Sequence, residues 1–248
     1  MTKRSTQTSK QSPRPTPIIH VQNLQRVYKS AGEDVHAVDD VTLDIYSGQL
    51  TAIVGRSGAG KTTLLNLISG LDTPDNGRVL IEGKDIHAMS EKERLILRRE
   101  KIGFVFQNFG LLPLLSAREN VGVPLRMMNM KAEKREKRIS KVLEWVGLDD
   151  RANHRPYELS GGEQQRVAVA RALAKNPKII LADEPTGQLD TQTSRQVLGI
   201  MHEMAKRLKI TLVIVTHDDL MHRADVIHEL GDGKLINTRM PKRDRQRT

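Results

Sequence analysis

The octapeptide Gly55-Arg56-Ser57-Gly58-Ala59-Gly60-Lys61-Thr62 stands between an apolar run, LTAIV (50–54), and a stretch that reads as the start of a helix, TLLNLISGL (63–71). Glycines in such a loop let backbone N–H groups turn inward around phosphate oxygens, and the helix that follows presents its positive end to the same place. Lys61 supplies a point charge to the β- and γ-phosphates of a nucleotide, and the Thr62 hydroxyl can ligate Mg²⁺. Residues 55–62 together with Thr63 are therefore the candidate nucleotide cradle.

A second chemical site ends the run KIILADEP (178–185). Asp183 is placed to hold Mg²⁺ directly or through water. Glu184 follows at once, where a carboxylate can orient or deprotonate an attacking water. Alone, the pair also reads as acids capping a helix after a strand. Beside a phosphate loop it reads as the metal and water site of a nucleotide hydrolase, provided that adjacent parallel strands bring both loops to one sheet edge.

The stretch ELSGGEQQR (158–166) opens another helix. Ser160 and Glu163 make a capping box, which accounts for the serine and the glutamate. Two glycines at the first helical positions remain, each costing about 1 kcal/mol relative to Ala. They make sense where another molecule's phosphate approaches the backbone closely. With the near side of the nucleotide held by residues 55–62, that second clamp serves the ATP of another subunit.

Positioning these loops calls for an α/β fold. IIHVQNL (18–24), HAVDDVTLDIY (36–46), LTAIVG (50–55), RVLIEG (78–83), IGFVFQ (102–107), KIILAD (178–183), TLVIVTH (211–217) and DVIHEL (225–230) read as strands. Three of these, LTAIVG, KIILAD and TLVIVTH, are almost continuously apolar, as central parallel strands covered on both faces are. Between 116 and 176 the strand signal stops, and Ile139, Val142, Leu143 and Val146 recur at helical spacing. The expectation is an α/β core interrupted by a mostly helical insertion over about 90–170. No internal repeat is visible.

Composition narrows the classes. The chain of 248 residues has no cysteine, which excludes a disulfide scaffold and a thiolate zinc site. No run approaches the roughly 18 apolar residues of a membrane span. The N-terminus lacks the apolar core of a secretory signal, so a soluble cytoplasmic protein is expected. The formal net charge of +10 is concentrated at the ends. Residues 1–17 carry Lys3, Arg4, Lys10 and Arg14 without an acid, and residues 239–248 carry five basic residues against Asp244. Both ends read as disordered basic tails, fit to keep the chain soluble or to meet an anionic membrane face. The 18–238 body between them is near neutral, so no folded nucleic-acid surface is expected.

LSGGE (159–163) resembles the signature motif of ATP-binding cassette (ABC) ATPases, with Glu where Gln is commoner, and the resemblance extends over about 18–238. It implies a P-loop ATPase fold with a mostly parallel central sheet, an antiparallel β subdomain and an inserted α-helical subdomain. Gln107 in FVFQ matches the glutamine implied to sense Mg²⁺ and the γ-phosphate. Tyr28 matches the aromatic that stacks on adenine. GQLD (187–190) resembles the D-loop, and His217 in VTHD matches the histidine that contacts the γ-phosphate. The resemblance thus implies Glu184, His217 and Gln107 as catalytic, and Thr62, Gln107 and Asp183 as metal ligands. Ser160, Gly161 and Gly162 are implied to act in trans, with ATP and Mg²⁺ sandwiched in a homodimer.

FQNFGLLPLLSARENV (106–121) is similar to the subfamily serving lipoprotein release, macrolide and peptide export and antimicrobial-peptide resistance. The ATPase of a related cell-division pair is similar too. Members commonly have Thr where Ser116 stands, and Asn or Glu where Gln188 stands. The apolar stretch Phe109–Leu115 reads as a groove for a helix of a separate transmembrane permease, or as filler beneath the insertion. The resemblance implies a transport ATPase peripheral on the cytoplasmic face of the membrane. A soluble ABC ATPase acting on DNA or ribosomes and a small-molecule kinase are the alternatives. The first usually carries long coiled-coil insertions or paired cassettes, and the second has no use for the signature.

Overall fold

The computed structural model describes residues 16–29, 32–216 and 223–241. Residues 1–15 and 242–248 of the expected basic tails, and His217, lie outside them.

Two sheets form. A four-stranded antiparallel sheet has the order β2 (Val35–Ile45), β1 (Ile19–Tyr28), β4 (Asn76–Ile81) and β5 (Lys84–Asp85). A six-stranded sheet has the order β10 (Lys234–Arg239), β9 (Val226–Gly231), β3 (Leu50–Val54), β8 (Thr211–Thr216), β7 (Ile179–Asp183) and β6 (Ile102–Val105). Its strands run parallel except β10, which returns antiparallel beside β9.

Alternation along the central strands divides the core in two, because successive side chains point to opposite faces. Ile53, Leu181, Val213 and Val215 pack with α1 (Lys61–Ser69) and the antiparallel sheet. Ala52, Ile180, Ala182, Leu212 and Ile214 join the core built with α3 (Ala117–Met127), α4 (Ala132–Trp145), α5 (Gly161–Ala174) and α6 (Thr191–Leu208). Coverage on both sides is why these strands read as unbroken apolar runs. In α4, the residues picked out by helical spacing, Ile139, Val142, Leu143 and the cap Val146, are buried.

The strand β6 lies inside the 90–170 stretch, between α2 (Glu91–Lys101) and α3, and returns the chain to the central sheet before the helices gather. Two strands were not anticipated, β5 and β10. Each follows a two-residue hairpin with both residues at positive φ: Glu82 (50°) and Gly83 (76°), then Asp232 (47°) and Gly233 (75°). Such turns match the twist of the strands they join. One expectation needs correcting. The strands leading to the phosphate loop and to Asp183 are not adjacent, since β8 runs between β3 and β7.

Helix starts differ in a way that matters for the site. Capping boxes close α2 (Ser90/Glu93), α3 (Ser116/Glu119) and α5 (Ser160/Glu163), and Asp190 caps α6. The helix α1 begins at Gly60 with no side-chain cap, so its first N–H groups remain available to an anion.

Candidate functional site

The loop between β3 and α1 is shaped by its own surroundings as much as by any ligand. Gly60 has φ of 90°, and a Cβ there would lie 1.9 Å from the Ala37 carbonyl oxygen of β2. A Cβ on Gly55 would lie 2.3 Å from the Leu230 carbonyl oxygen of β9. Only glycine fits between these backbones. Lys61 is 5% exposed and its Nζ donates to the carbonyls of Gly55 (2.9 Å) and Arg56 (2.8 Å). The ammonium therefore spans the mouth of the loop it serves.

Across β8, the end of β7 meets this loop despite the intervening strand. The Thr62 hydroxyl donates to Asp183 Oδ1 at 3.1 Å, and Lys61 Nζ lies 4.0 Å from Glu184 Oε1. Burial pushes the Asp183 carboxyl up; the Thr62 hydrogen bond opposes that, the Glu184 charge adds to it, and Lys61 again opposes it. Glu184 has φ of 41°, in the left-handed region where non-glycine residues are uncommon, and its N–H is held by the Val215 carbonyl at 2.9 Å. Backbone strain of this kind gathers at functional sites. Gln107 reaches the same place. A Cβ on Gly187 would lie 3.0 Å from Gln107 Nε2 and 3.4 Å from Glu184 Oε2, so the amide and the carboxylate both flank Gly187.

No group of three or more His, Cys, Asp or Glu side chains gathers among the described residues as an all-protein metal cage. The hard oxygens of Thr62 and Asp183, side by side, fit Mg²⁺, which keeps waters and takes one or two protein oxygens plus substrate phosphates.

Ser160, Gly161 and Gly162 stand elsewhere. They line a cleft of about 330 Å³ with Arg166, Gln188, Leu189, Asp190, Thr193 and Gln196, and no residue of the phosphate loop or the acid pair lines it. The glycine pair also has a reason within the chain. A Cβ on Gly162 would lie 2.4 Å from Thr193 Cγ2 of α6, and one on Gly161 would lie 3.3 Å from Leu189 Cδ2. Close packing of the α5 start against α6 thus explains the bareness of Gly162, which the sequence attributed to another molecule alone, whereas the Leu189 contact at Gly161 is merely tight.

Tyr28 ends β1 and is 40% exposed. Its hydroxyl donates to Asp72 Oδ2 at 2.7 Å, and the Arg26 guanidinium sits 4.8 Å from the ring centroid. Burial pushes the Asp72 carboxyl up, but hydrogen bonds from Tyr28 and the Thr73 N–H and the charge of Arg26 outweigh it and hold the carboxyl below the usual range.

Sequence reasoning missed three further supports. Arg171 of α5 donates to the carbonyls of Phe109 (2.9 Å) and Gly110 (2.5 Å), the turn that follows Gln107. Asn120 of α3 is fully buried and its amide nitrogen donates to the carbonyls of Leu112 (3.1 Å), Leu115 (2.9 Å) and Ser116 (3.1 Å). Arg138 of α4 donates to the Leu173 and Ala174 carbonyls that end α5. No sequence pattern marks them: Arg171 and Arg138 bond backbone at least 35 residues away, and Asn120 bonds the irregular turn just before its own helix. Held this way, residues 111–115 do not fill the core: Leu112 is 47% and Leu114 is 80% exposed, while Leu111 packs inward.

The family model for the ABC transporter matches residues 38–187. The chain belongs to the ABC transporter family. The ABC transporter ATP-binding protein YtrE of Bacillus subtilis is 46% identical over 225 residues, spanning 88% of this chain and 96% of that one. The lipoprotein-releasing system ATP-binding protein LolD 2 of Caulobacter vibrioides is 42% identical over 220 residues, again 88% and 96%. Among solved structures, the dimeric post-hydrolysis state of the ATP-binding cassette MJ0796 bound to ADP and Pi matches with a TM-score of 0.83. Its identity is 41%, over 90% of this chain and 99% of that one. The present chain is thus an ATP-binding subunit of the ABC transporter kind, with the ABC ATPase fold. No helix among the described residues is long and apolar enough to cross a membrane.

Proposed function

We propose that this ABC subunit binds and hydrolyses ATP with Mg²⁺ and powers a separate transmembrane permease. It works peripherally on the cytoplasmic face of the cell membrane, for export or release of a lipoprotein, peptide or drug. The observation that carries the hydrolytic reading is the junction of Thr62 with Asp183 and of Lys61 with Glu184 across β8. Lys61 supplies charge to the β- and γ-phosphates from the mouth of its loop. Thr62 and Asp183, with Gln107 close by, would hold Mg²⁺, which neutralises phosphate charge when bound. Glu184 accepts the proton of the attacking water, Gln107 senses Mg²⁺ and the γ-phosphate, and His217 contacts the γ-phosphate.

The cleft at Ser160 shares no lining residue with the phosphate loop, which supports a site completed by a second copy. In that arrangement each ATP lies between one P-loop and the partner's Ser160, Gly161 and Gly162. The MJ0796 cassette of the comparison is itself dimeric, which supports the same reading. The exposed Leu112 and Leu114 support a docking groove for a helix of the permease. The name of LolD 2 supports the lipoprotein branch of the proposal.

Glu184→Gln tests it. The change keeps size and hydrogen-bonding reach but removes the base, so single-turnover hydrolysis should fall by about 10²–10⁴-fold while the protein accumulates as an ATP-bound dimer on size-exclusion chromatography. Near-normal turnover, or no ATP-dependent increase in mass, rejects the proposal.

A further inference from the structure

Four side chains from two distant stretches meet at the end of β1. Arg26 makes a two-pronged ion pair with Asp72, Nε to Oδ2 at 3.0 Å and Nη2 to Oδ1 at 2.9 Å, and a third contact to Asp75 at 3.3 Å. Asp75 also accepts the Val27 N–H at 2.7 Å. The planar guanidinium is thereby fixed, and it lies over one face of Tyr28. The Tyr28 hydroxyl closes the set by donating to Asp72.

Asp72 is not a free surface acid. Leu71 and Asp72 donate their N–H groups back to the Asn66 carbonyl, so Asp72 is fastened to the C-terminal end of α1. This is the helix whose N-terminus opens the phosphate loop. Nine residues of helix at 1.5 Å each set a separation of about 13 Å between the two ends. A ring on the antiparallel sheet is in this way referenced to the loop in the other layer, through one carboxylate.

We propose that Arg26 and Asp72 are positioning residues for nucleotide binding. They hold Tyr28 at a set distance from residues 55–62 and leave one face of its ring to stack on the base. The inference rests on the reading that residues 55–62 hold the phosphates of ATP and Tyr28 its base. Stacking engages the base alone, so the bracket acts on nucleotides and is indifferent to a bare polyphosphate.

The test is calorimetric titration of the full chain with a non-hydrolysable ATP analogue, AMP-PNP, and with inorganic tripolyphosphate. Tyr28→Ala should weaken AMP-PNP on the order of 5- to 100-fold, the range for losing a base–aromatic stack, and leave tripolyphosphate unchanged. Arg26→Ala should weaken AMP-PNP by about two- to fivefold, again sparing tripolyphosphate, and should add nothing in the Tyr28→Ala background. Tyr28→Phe, which keeps the ring and loses the tether to Asp72, should fall between wild type and Tyr28→Ala. Retained tripolyphosphate binding certifies that each variant is folded around its phosphate loop. The proposal is overturned if Arg26→Ala binds AMP-PNP like the wild type. It is equally overturned if Arg26→Ala loses both ligands alike, or if its effect persists in full without Tyr28. A Tyr28→Ala variant with undiminished AMP-PNP affinity refutes the base contact itself, and wild-type protein that ignores tripolyphosphate refutes the phosphate loop.

Discussion

Replacing Gly162 by Ala puts a methyl 2.4 Å from Thr193 Cγ2, more than an ångström inside ordinary carbon contact. Overpacking of this size costs about 1–3 kcal/mol. The gain of Ala over Gly in a helix returns up to about 1 kcal/mol. The net loss, between about 0 and 3 kcal/mol and centred on about 1.5, should lower the melting temperature by roughly 3–6 °C in a domain of this size. Thr193→Ser removes the offending methyl and keeps the hydroxyl that donates to Asp190 Oδ2 at 2.5 Å. In that background Gly162→Ala should be neutral or stabilising, giving a coupling of about 1–3 kcal/mol in a double-mutant cycle. The assay is thermal unfolding of the four proteins, followed by single-turnover ATP hydrolysis. Since the added methyl points into α6, the double variant should recover the turnover of Thr193→Ser, whereas Gly162→Ala alone displaces the α5 start and loses it. Equal destabilisation in both backgrounds would refute the packing argument. A stable but inactive double variant would return Gly162 to the approaching phosphate.

Other outcomes follow from the same geometry. Lys61→Ala should weaken ATP binding roughly 10- to 150-fold in equilibrium titration, the range for hydrogen bonds to a charged group. Ser160→Arg, at an exposed position, should leave ATP affinity of the single chain unchanged while abolishing ATP-dependent dimerisation and turnover, measured by titration and size exclusion. Leu112→Asp with Leu114→Asp should shift stability by no more than about 0.5 kcal/mol on denaturant unfolding, because both side chains are exposed, yet abolish co-purification with the membrane subunit. Asp183→Asn should raise the Mg²⁺ concentration needed for half-maximal ATPase activity and yield little ATP-bound dimer by size exclusion.

The parallel strands, the phosphate loop and the acid pair were legible because each is local: an apolar run, a glycine pattern, an acidic strand end. The strands β5 and β10 escaped because their residues are polar or mixed, and only the Glu82-Gly83 and Asp232-Gly233 turns announced them. The order of β3, β8 and β7 could not be read from any one strand, since all three are similarly apolar. The glycines at 161 and 162 were visible, but their contacts with Leu189 and Thr193 depend on how α6 lies against α5. Tyr28 was visible too; its bracket was not, because Arg26 and Asp72 are 46 residues apart.

The place of β3 in the sheet has a consequence for synthesis on the ribosome. Residues 50–54 are translated early, yet both neighbours of this strand, β8 and β9, come from residues 211–231. Until those emerge, a strand with four of its five residues buried in the finished fold has no sheet to join, and the carbonyl of Leu230 that presses on Gly55 does not yet exist. Such distant pairing is slow and leaves apolar surface open to aggregation. The phosphate loop is thus translated well before the strands that give it its shape. A nascent chain halted before residue 211 carries the whole motif and should still have no grip on ATP.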